Sequence, residues 1–336
     1  MGKLFPVTYG RGVARGLGAR LEAAHGRPVV ITHPEPWASL EPDFGAIPAV
    51  VVNPEGLERA YLEGLVHDLP EGPILGIGGG SAMDAAKWVH WRRAAPLWQV
   101  PSLPSVDACF THMVAVRDET GVHYSGDAIP EMVFVDFDLM REAPAHLVRG
   151  GIGDVLSCHT ARWDWEHAVA RGHDPAWDDE GAAASLRIVD DLRRLAPAIH
   201  DLEDEGLQGL MELHREIGKR CDDLKHARFE EGSEHFFAYC FEFVNGHTIM
   251  HGELVSLGVL IMSAIQGNRP ELAREIVWGA GVRRKPEDLG ITWEEIEATL
   301  RALPAFVESE QLWYSVANGL RVSEAVLASA RAAVTV

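Results

Sequence analysis

A glycine-rich stretch, GIGGGSAMDAAK at residues 76–87, joins an apolar segment to a helical pattern. Unpaired backbone N–H groups at a helix start, together with the helix dipole, attract anions. Glycine has no Cβ, so an oxygen-rich ligand can touch the backbone, and Ser81 can cap the helix or donate to a phosphate. The third glycine of a dinucleotide fingerprint and the Lys-Ser/Thr ending of a Walker loop are both missing. The stretch therefore predicts a phosphate site or, alternatively, a tight turn without a ligand.

Three side chains in the second half of the chain have the types expected of a catalytic metal site. His235 lies within a helical run in GSEHFFAY, and His251 begins another helix in MHGELVSLG. A carboxylate from a different helix would complete the set, and Asp154 follows a glycine-rich helix start in GGIGDVLS. Imidazole and carboxylate are the expected ligands of a catalytic divalent ion that keeps one position open.

The segment GGGSAMDAAK resembles the nucleotide-binding turn of the iron-containing alcohol dehydrogenase and dehydroquinate-synthase-like superfamily. The resemblance implies an N-terminal α/β domain that binds NAD or NADP and a C-terminal helical domain that binds metal. It also implies that the turn contacts the cofactor pyrophosphate, with two residues on the following helix nearby. The residues placed at the cofactor in this way are Gly78, Gly79, Gly80, Ser81, Asp84 and Lys87. For Asp84 and Lys87, a surface salt bridge between residues three apart is the alternative.

The segments GIGDVLS, GSEH and HGE, in that order, are similar to the metal-ligand segments of the glycerol-1-phosphate dehydrogenase branch. Position by position, this similarity implies Asp154, His235 and His251 as the ligands. Together with the glycine turn and PSLPSVD, these segments extend the resemblance from about residue 25 to about residue 265. It places Asp107 at the family's active-site aspartate, near the substrate hydroxyls and the nicotinamide. A turn aspartate that caps a backbone N–H is the alternative for Asp107.

One position departs from the pattern of many relatives, which have a second histidine four residues after the first histidine ligand. This chain has Tyr239 there, which disfavours the cyclase chemistry of the dehydroquinate synthases. His247, in a predicted loop, is expected to support the site or face the substrate. Glu253 lies in the first turn of its helix, where the dipole alone favours a carboxylate.

These parts would perform metal-dependent hydride transfer between NAD(P) and a small polyol or polyol phosphate. The ion would act as a Lewis acid toward the substrate oxygen; zinc is the first choice from the ligand types, and iron also suits them. The strand VVIT is followed by HPEPW, with no acidic residue directly at its end to bind the ribose 2′-OH. Glu35, two residues further on, could still reach the ribose, so the choice between NAD and NADP stays open.

Two other functions fit the same residues. A sugar-phosphate cyclase would use NAD and a divalent metal without net oxidation, and Tyr239 counts against it. A catalytically inactive binding protein on the same fold is the other alternative, and the intact Asp154, His235 and His251 count against it.

The elements that must position these residues fall into two groups. The first 145 residues alternate short apolar segments (PVVIT, AVVV, PILGIG, LWQVP and MVFVD) with helical patterns at 57–69 and 82–93, which predicts a Rossmann-like parallel sheet covered by helices. The segment HYSGDAIP reads as a surface turn. From residue 146 to residue 336 the patterns are helical throughout, which predicts an all-α metal-binding catalytic domain.

Composition narrows the partners and the compartment. The formal net charge of −20 disfavours nucleic-acid and anionic-membrane partners. No stretch approaches 18 apolar residues, and Cys109, Cys158, Cys221 and Cys240 form no CxxC pair. We therefore expect a cytoplasmic enzyme with free thiols and a small-molecule substrate, and the sequence leaves open whether it forms a homo-oligomer.

Overall fold

The computed structural model describes residues 5–118, 121–173 and 175–335. The chain divides into two compact units. The sheet unit comprises residues 1–148 and 214–223, and the helical unit comprises residues 149–213 and 224–336. The predicted division into domains between residues 145 and 146 stays a prediction. It did not anticipate that residues 214–223 return to the first unit.

The sheet unit is built on a six-stranded, fully parallel sheet in the order β1-β8-β5-β4-β2-β3. A separate antiparallel hairpin is formed by β6 and β7. The strands are β1 (Val7–Gly10), β2 (Val29–Thr32), β3 (Val50–Val52), β4 (Ile74–Gly78), β5 (Leu97–Pro101), β6 (Val114–Asp118), β7 (Gly121–Ser125) and β8 (Met132–Asp136).

Helices cover both faces of this sheet, because alternate residues of each strand point to opposite sides. Val29 and Ile31 of β2 belong to one apolar core with residues of the helices that follow β3 and β4. Val30 belongs to the other core, with residues of the first helix, such as Leu21. The parallel sheet covered by helices is therefore confirmed for the first half of the chain.

Helices account for the regular structure described after β8. The α-helices among the described residues are α1 (Leu17–His25), α2 (Pro34–Leu40), α3 (Arg59–Asp68), α4 (Gly80–Arg93), α5 (Phe137–Glu142), α6 (Ala145–Gly150), α7 (Ile152–Leu156), α8 (Cys158–Val169), α9 (Asp179–His200), α10 (Asp204–Leu224), α11 (Ser233–Asn245), α12 (His251–Gln266), α13 (Pro270–Gly279), α14 (Pro286–Leu289), α15 (Trp293–Ser309) and α16 (Glu324–Thr335). In the helical unit α12 is central: residues 252–263 are all buried, and α7, α11 and α16 pack against it. The all-helical second half is confirmed.

Three features differ from expectation. Strand β1 (VTYG) carries no apolar run and was not predicted. The segment HYSGDAIP is not wholly a turn, because His123, Tyr124 and Ser125 pair with β6. Residues 149–170, within the region of helical patterns, form the end of α6, then α7 and α8, and not one continuous helix. Among the described residues, none of the helices has both the length and the apolar character needed to cross a membrane.

Candidate functional site

The three predicted metal ligands lie on three helices of the helical unit. Asp154 is in α7, His235 is in the first turn of α11, and His251 is the first residue of α12. Glycines allow α7 and α12 to approach closely: a Cβ on Gly153 would lie 2.7 Å from the Cα of Gly252 and nearer still to its carbonyl oxygen. The backbone contact between these two helices therefore sets the distance between Asp154 and His251.

The three side chains converge on one point. Asp154 Oδ1 lies 3.3 Å from His251 Nε2 and 3.7 Å from His235 Nε2. One ligand atom from each residue lies within 4.8 Å of the other two. Ligands bound at 2.0–2.1 Å in a tetrahedral arrangement are about 3.3 Å apart, so this spacing fits a divalent ion. Asp154 Oδ1 is buried and accepts no hydrogen bond of good geometry, which also fits an atom that serves as a metal ligand.

Glu234 fixes the ring of His235 from the opposite side. The Glu234 side chain is fully buried, and its Oε1 lies 3.0 Å from His235 Nδ1. The backbone N–H of Gly232 donates to the same oxygen at 2.6 Å, and the hydroxyl of Thr160 donates to Oε2 at 2.7 Å. With Nδ1 held by Glu234, Nε2 of His235 faces Asp154.

The electrostatics of the cluster favour ionised groups. Burial alone would raise the pKa of the Asp154 carboxyl, but the imidazoles of His251 and His235 hold that pKa well below its usual range. Burial lowers the pKa of His235, but its interactions with Asp154 and Glu234 more than offset this and raise the pKa well above its usual value. A metal binds neutral imidazole, so an ion at this cluster would take the place of a proton on Nε2 of His235.

The neighbouring residues singled out in the sequence have other partners. His247 is not directed at the cluster: its Nε2 lies 2.8 Å from Glu295 Oε1. Glu253 is buried and pairs with both donor nitrogens of Arg283 at 2.7 Å. The hydroxyl of Tyr239 donates to Glu231 at 2.9 Å.

The glycine turn of the sheet unit connects β4 to α4 as expected. Gly78 has a φ of +145°, a conformation that favours glycine. A Cβ on Gly79 would meet nothing nearer than Ser105 Oγ at 3.8 Å, so the space in front of the turn is open. Gly79 precedes the 14-residue helix α4 without a side chain to cap it, which leaves the first N–H groups of the helix for a ligand.

Ser81 is linked to two other polar side chains at this turn. Its Oγ lies 2.9 Å from His33 Nε2, and His33 Nδ1 lies 2.9 Å from Asn53 Oδ1. His33 follows β2 and Asn53 follows β3, so polar side chains at the carboxyl ends of three neighbouring strands are linked. The contact of His33 with Ser81 was not predicted, because the end of β2 was expected to matter only for an acidic residue.

Asp84 and Lys87 form an ion pair with Nζ 2.8 Å from Oδ1, but the pair is buried and not at the surface as the alternative assumed. Lys87 also donates to the carbonyl oxygens of Met113 and Thr111. Burial raises the pKa of Asp84, and Lys87 opposes that shift. The pair thus anchors α4 to the segment before β6.

Asp107 lies in the loop after β5 and is half-buried. Its backbone carbonyl accepts from Phe110 and Thr111, and a Cβ on Gly218 would lie 3.3 Å from its carboxylate oxygen. Asp107 and the glycine turn belong to the sheet unit. The cluster of Asp154, His235 and His251 belongs to the helical unit.

Comparisons with known proteins agree with the fold and the motifs. Residues 51–144 match the family model described as iron-containing alcohol dehydrogenase. A glycerol-1-phosphate dehydrogenase [NAD(P)+] of Saccharolobus solfataricus is 27% identical over 248 residues, covering 74% of this chain and 70% of the relative. The protein of the same name from Hyperthermus butylicus is 26% identical over 306 residues, covering 88% and 87%. The glycerol dehydrogenase structure from Schizosaccharomyces pombe superposes with a TM-score of 0.71 at 19% identity, covering 98% of this chain and 90% of that one.

The expected resemblance of this chain to the iron-containing alcohol dehydrogenase superfamily is confirmed by the family-model match and by these relatives. Within the superfamily, its similarity to the glycerol-1-phosphate dehydrogenase branch is also confirmed. The expectation of a dehydrogenase is confirmed at this level, as a polyol-phosphate dehydrogenase-like protein.

Proposed function

We propose that this chain is a metal-dependent, NAD(P)-linked dehydrogenase that interconverts a small polyol phosphate and its ketone. Dihydroxyacetone phosphate is the first ketone to test, since the relatives named above are glycerol-1-phosphate dehydrogenases. The observation that carries the proposal is the spacing of Asp154 Oδ1 from the two imidazole nitrogens, 3.3 and 3.7 Å, which suits one divalent ion.

Asp154, His235 and His251 would hold the ion and leave a coordination position open to the substrate oxygen. Zinc is our first choice, because one carboxylate and two imidazoles form a donor set that zinc enzymes use. When bound, the ion would supply Lewis acidity toward that oxygen. The chain's own part is to present Nε2 of each histidine, and the carboxylate, at fixed positions.

The glycine turn would bind the cofactor pyrophosphate through the backbone of Gly78, Gly79 and Gly80, with Ser81 beside it. The open space at Gly79 and the free N–H groups at the start of α4 support this role. Asp84 is buried with Lys87, which supports a role in holding α4 in place more than a direct contact with the cofactor.

We propose that both NAD and NADP are accepted. His33, and not an acidic residue, follows β2, so no carboxylate directly at that strand end opposes a 2′-phosphate. The names of the relatives also carry NAD(P)+. Asp107 is proposed to contact the substrate hydroxyls and the nicotinamide. We also propose that the enzyme is cytoplasmic, and the acidic composition disfavours a nucleic-acid partner.

The test combines metal content with turnover. Purified wild-type protein should contain one divalent ion per chain and reduce dihydroxyacetone phosphate with NADH or NADPH. Asp154→Ala should lose the ion and the turnover, while NADH fluorescence still reports cofactor binding. Asp201→Ala is the matched control, because Asp201 also pairs with a histidine, His200 at 2.7 Å, but at the exposed surface of the same unit.

Three outcomes would contradict the proposal. Full metal content in folded Asp154→Ala would overturn the ligand assignment. Full turnover by chelator-treated protein, confirmed to be metal-free, would overturn the mechanism. Cyclisation of a phosphorylated sugar, with no ketone of a broad panel reduced, would establish the cyclase alternative.

A further inference from the structure

Glu234 is a fully buried carboxylate beside the proposed metal centre that the ligand assignment leaves without a function. Three groups surround its two oxygens: the N–H of Gly232, the hydroxyl of Thr160 and Nδ1 of His235. A buried ionised carboxylate is costly unless every oxygen accepts a hydrogen bond or meets a positive charge. These three partners therefore offset the cost of burying the Glu234 carboxylate.

The hydrogen-bond chemistry leaves one arrangement. An ionised carboxylate only accepts, so the 3.0 Å contact requires His235 to carry a proton on Nδ1. In a neutral imidazole the other nitrogen, Nε2, then carries a lone pair. That nitrogen is the one that lies 3.7 Å from Asp154 Oδ1, at the point where the three ligand atoms converge.

Glu234 also contributes negative charge beside the proposed metal centre. Arg228 is fully buried and interacts electrostatically with Asp164 and with Glu234. Arg228 also interacts with Glu231, so one buried cation faces three carboxylates, and Glu234 is the one in contact with His235. Removal of the Glu234 charge should therefore weaken attraction for the ion even if the ring of His235 stays in place.

We propose that Glu234 is a positioning residue that fixes the tautomer and the ring plane of His235 and contributes negative charge to the metal centre. This inference rests on the proposed function, because it assumes that Asp154, His235 and His251 bind an ion. Carboxylates that hold metal-bound histidines in this way affect metal affinity by about 10–100-fold when removed.

A purely structural role is the competing explanation, since Glu234 also accepts an N–H at the start of α11. Asp164 provides the matched control for that role. It is buried, it accepts from the N–H of Ser233 at 2.8 Å at the same helix start, and no contact with a proposed ligand is recorded for it in the described structure. Replacing either Glu234 or Asp164 thus removes a buried carboxylate at this helix start. Glu234 is the one that contacts His235.

The experiment measures zinc affinity by competition with a chromophoric chelator in wild type, Glu234→Gln and Asp164→Asn. Glutamine retains the shape and one acceptor but loses the charge. We expect about 10–100-fold weaker zinc binding in Glu234→Gln and a change below about threefold in Asp164→Asn. In the zinc-loaded protein, the Nδ1 proton of His235 should resonate downfield because it is bound to a carboxylate. That proton should move upfield in Glu234→Gln and stay in place in Asp164→Asn.

Each result separates this inference from the proposed function. Equal zinc affinity and an unmoved Nδ1 proton in Glu234→Gln overturn the inference alone. Failure of wild type to bind zinc or any other divalent ion overturns the proposed function and the inference with it. If Glu234→Gln does not fold, Thr160→Val removes the donor to Oε2 and should weaken zinc binding in the same direction, by a smaller factor; unchanged affinity there overturns the inference.

Discussion

Replacement of Gly153 by alanine should widen the proposed metal centre without changing a proposed ligand. Gly153 precedes Asp154 in α7 and lies against Gly252, the residue after His251 in α12. A Cβ on Gly153 would lie 2.7 Å from the Cα and 2.8 Å from the carbonyl carbon of Gly252. Both are backbone atoms, so no side chain can rotate away to accept the added methyl group.

The size of the effect follows from these distances. Ordinary contact begins at 3.4 Å, so the two helices must separate by about 1 Å in a close-packed interior. The 3.3 Å distance between Asp154 Oδ1 and His251 Nε2 would grow by a similar amount. Metal–ligand distances tolerate changes of only about 0.2 Å. Because overpacking costs about 1–3 kcal/mol, we expect a loss of zinc affinity of about 10–100-fold, at about 1.4 kcal/mol per tenfold.

The assay is zinc competition with a chelator, accompanied by urea unfolding of the metal-free protein. Gly319→Ala is the control, since a Cβ on Gly319 in the same unit would meet nothing within 4 Å. Gly319→Ala should bind zinc as tightly as wild type. If folded Gly153→Ala also binds zinc with wild-type affinity, the contact between α7 and α12 does not set the geometry of the site, and the reasoning fails.

Three further predictions concern single groups. Lys87→Met should destabilise the protein by about 3–5 kcal/mol in urea unfolding, because it leaves the buried Asp84 without its cation; Lys87→Met combined with Asp84→Asn should recover part of that loss, and full additivity would contradict the pairing. Burial raises the pKa of Asp164 to about 6, above the unfolded value of about 3.9. The folded state therefore holds an extra proton between these values, so the stability from this group should rise as the pH falls from about 6 to about 4. Asp164→Asn should lack that rise in pH-dependent unfolding, and identical pH profiles would refute the assignment. Gly79→Val should raise the KM for the nicotinamide cofactor with metal content unchanged, since the side chain would occupy the open space before the turn; Gly64→Val, in open space on α3, should not, and equal KM values would make the turn merely structural.

Much of the fold could be predicted because its strands are buried on both faces. A strand buried on both faces of a parallel sheet is a nearly continuous apolar run. The segment VVIT has this pattern, and all four of its residues are buried in the structure. Strand β1 could not be found in this way, because VTYG has no apolar run and is only partly covered. Its register is set by pairing with β8, more than 120 residues away in sequence, which no local pattern reports.

The candidate site shows a similar division between pattern and geometry. Asp154, His235 and His251 were proposed from motifs, and the structure brings the three together, although their role as ligands stays a prediction. Glu234 was missed even though it precedes His235, because a sequence does not say whether an acidic residue faces solvent or a ligand. The same limit explains Lys87, whose spacing from Asp84 fits a surface pair as well as the buried one that forms.

The assignment of residues 214–223 to the sheet unit has a consequence for how the protein is made. This part of α10 contributes the buried His214, whose Nε2 lies 3.0 Å from the Pro104 carbonyl, and Arg215, which donates to the Phe5 carbonyl. A ribosome has therefore already released residues 149–213 before the sheet unit receives its last segment. A fragment that ends at residue 148 would expose those carbonyls and the apolar surface around them. Expression of the sheet unit alone would require residues 214–223 to be joined to that fragment by a linker or supplied as a separate peptide.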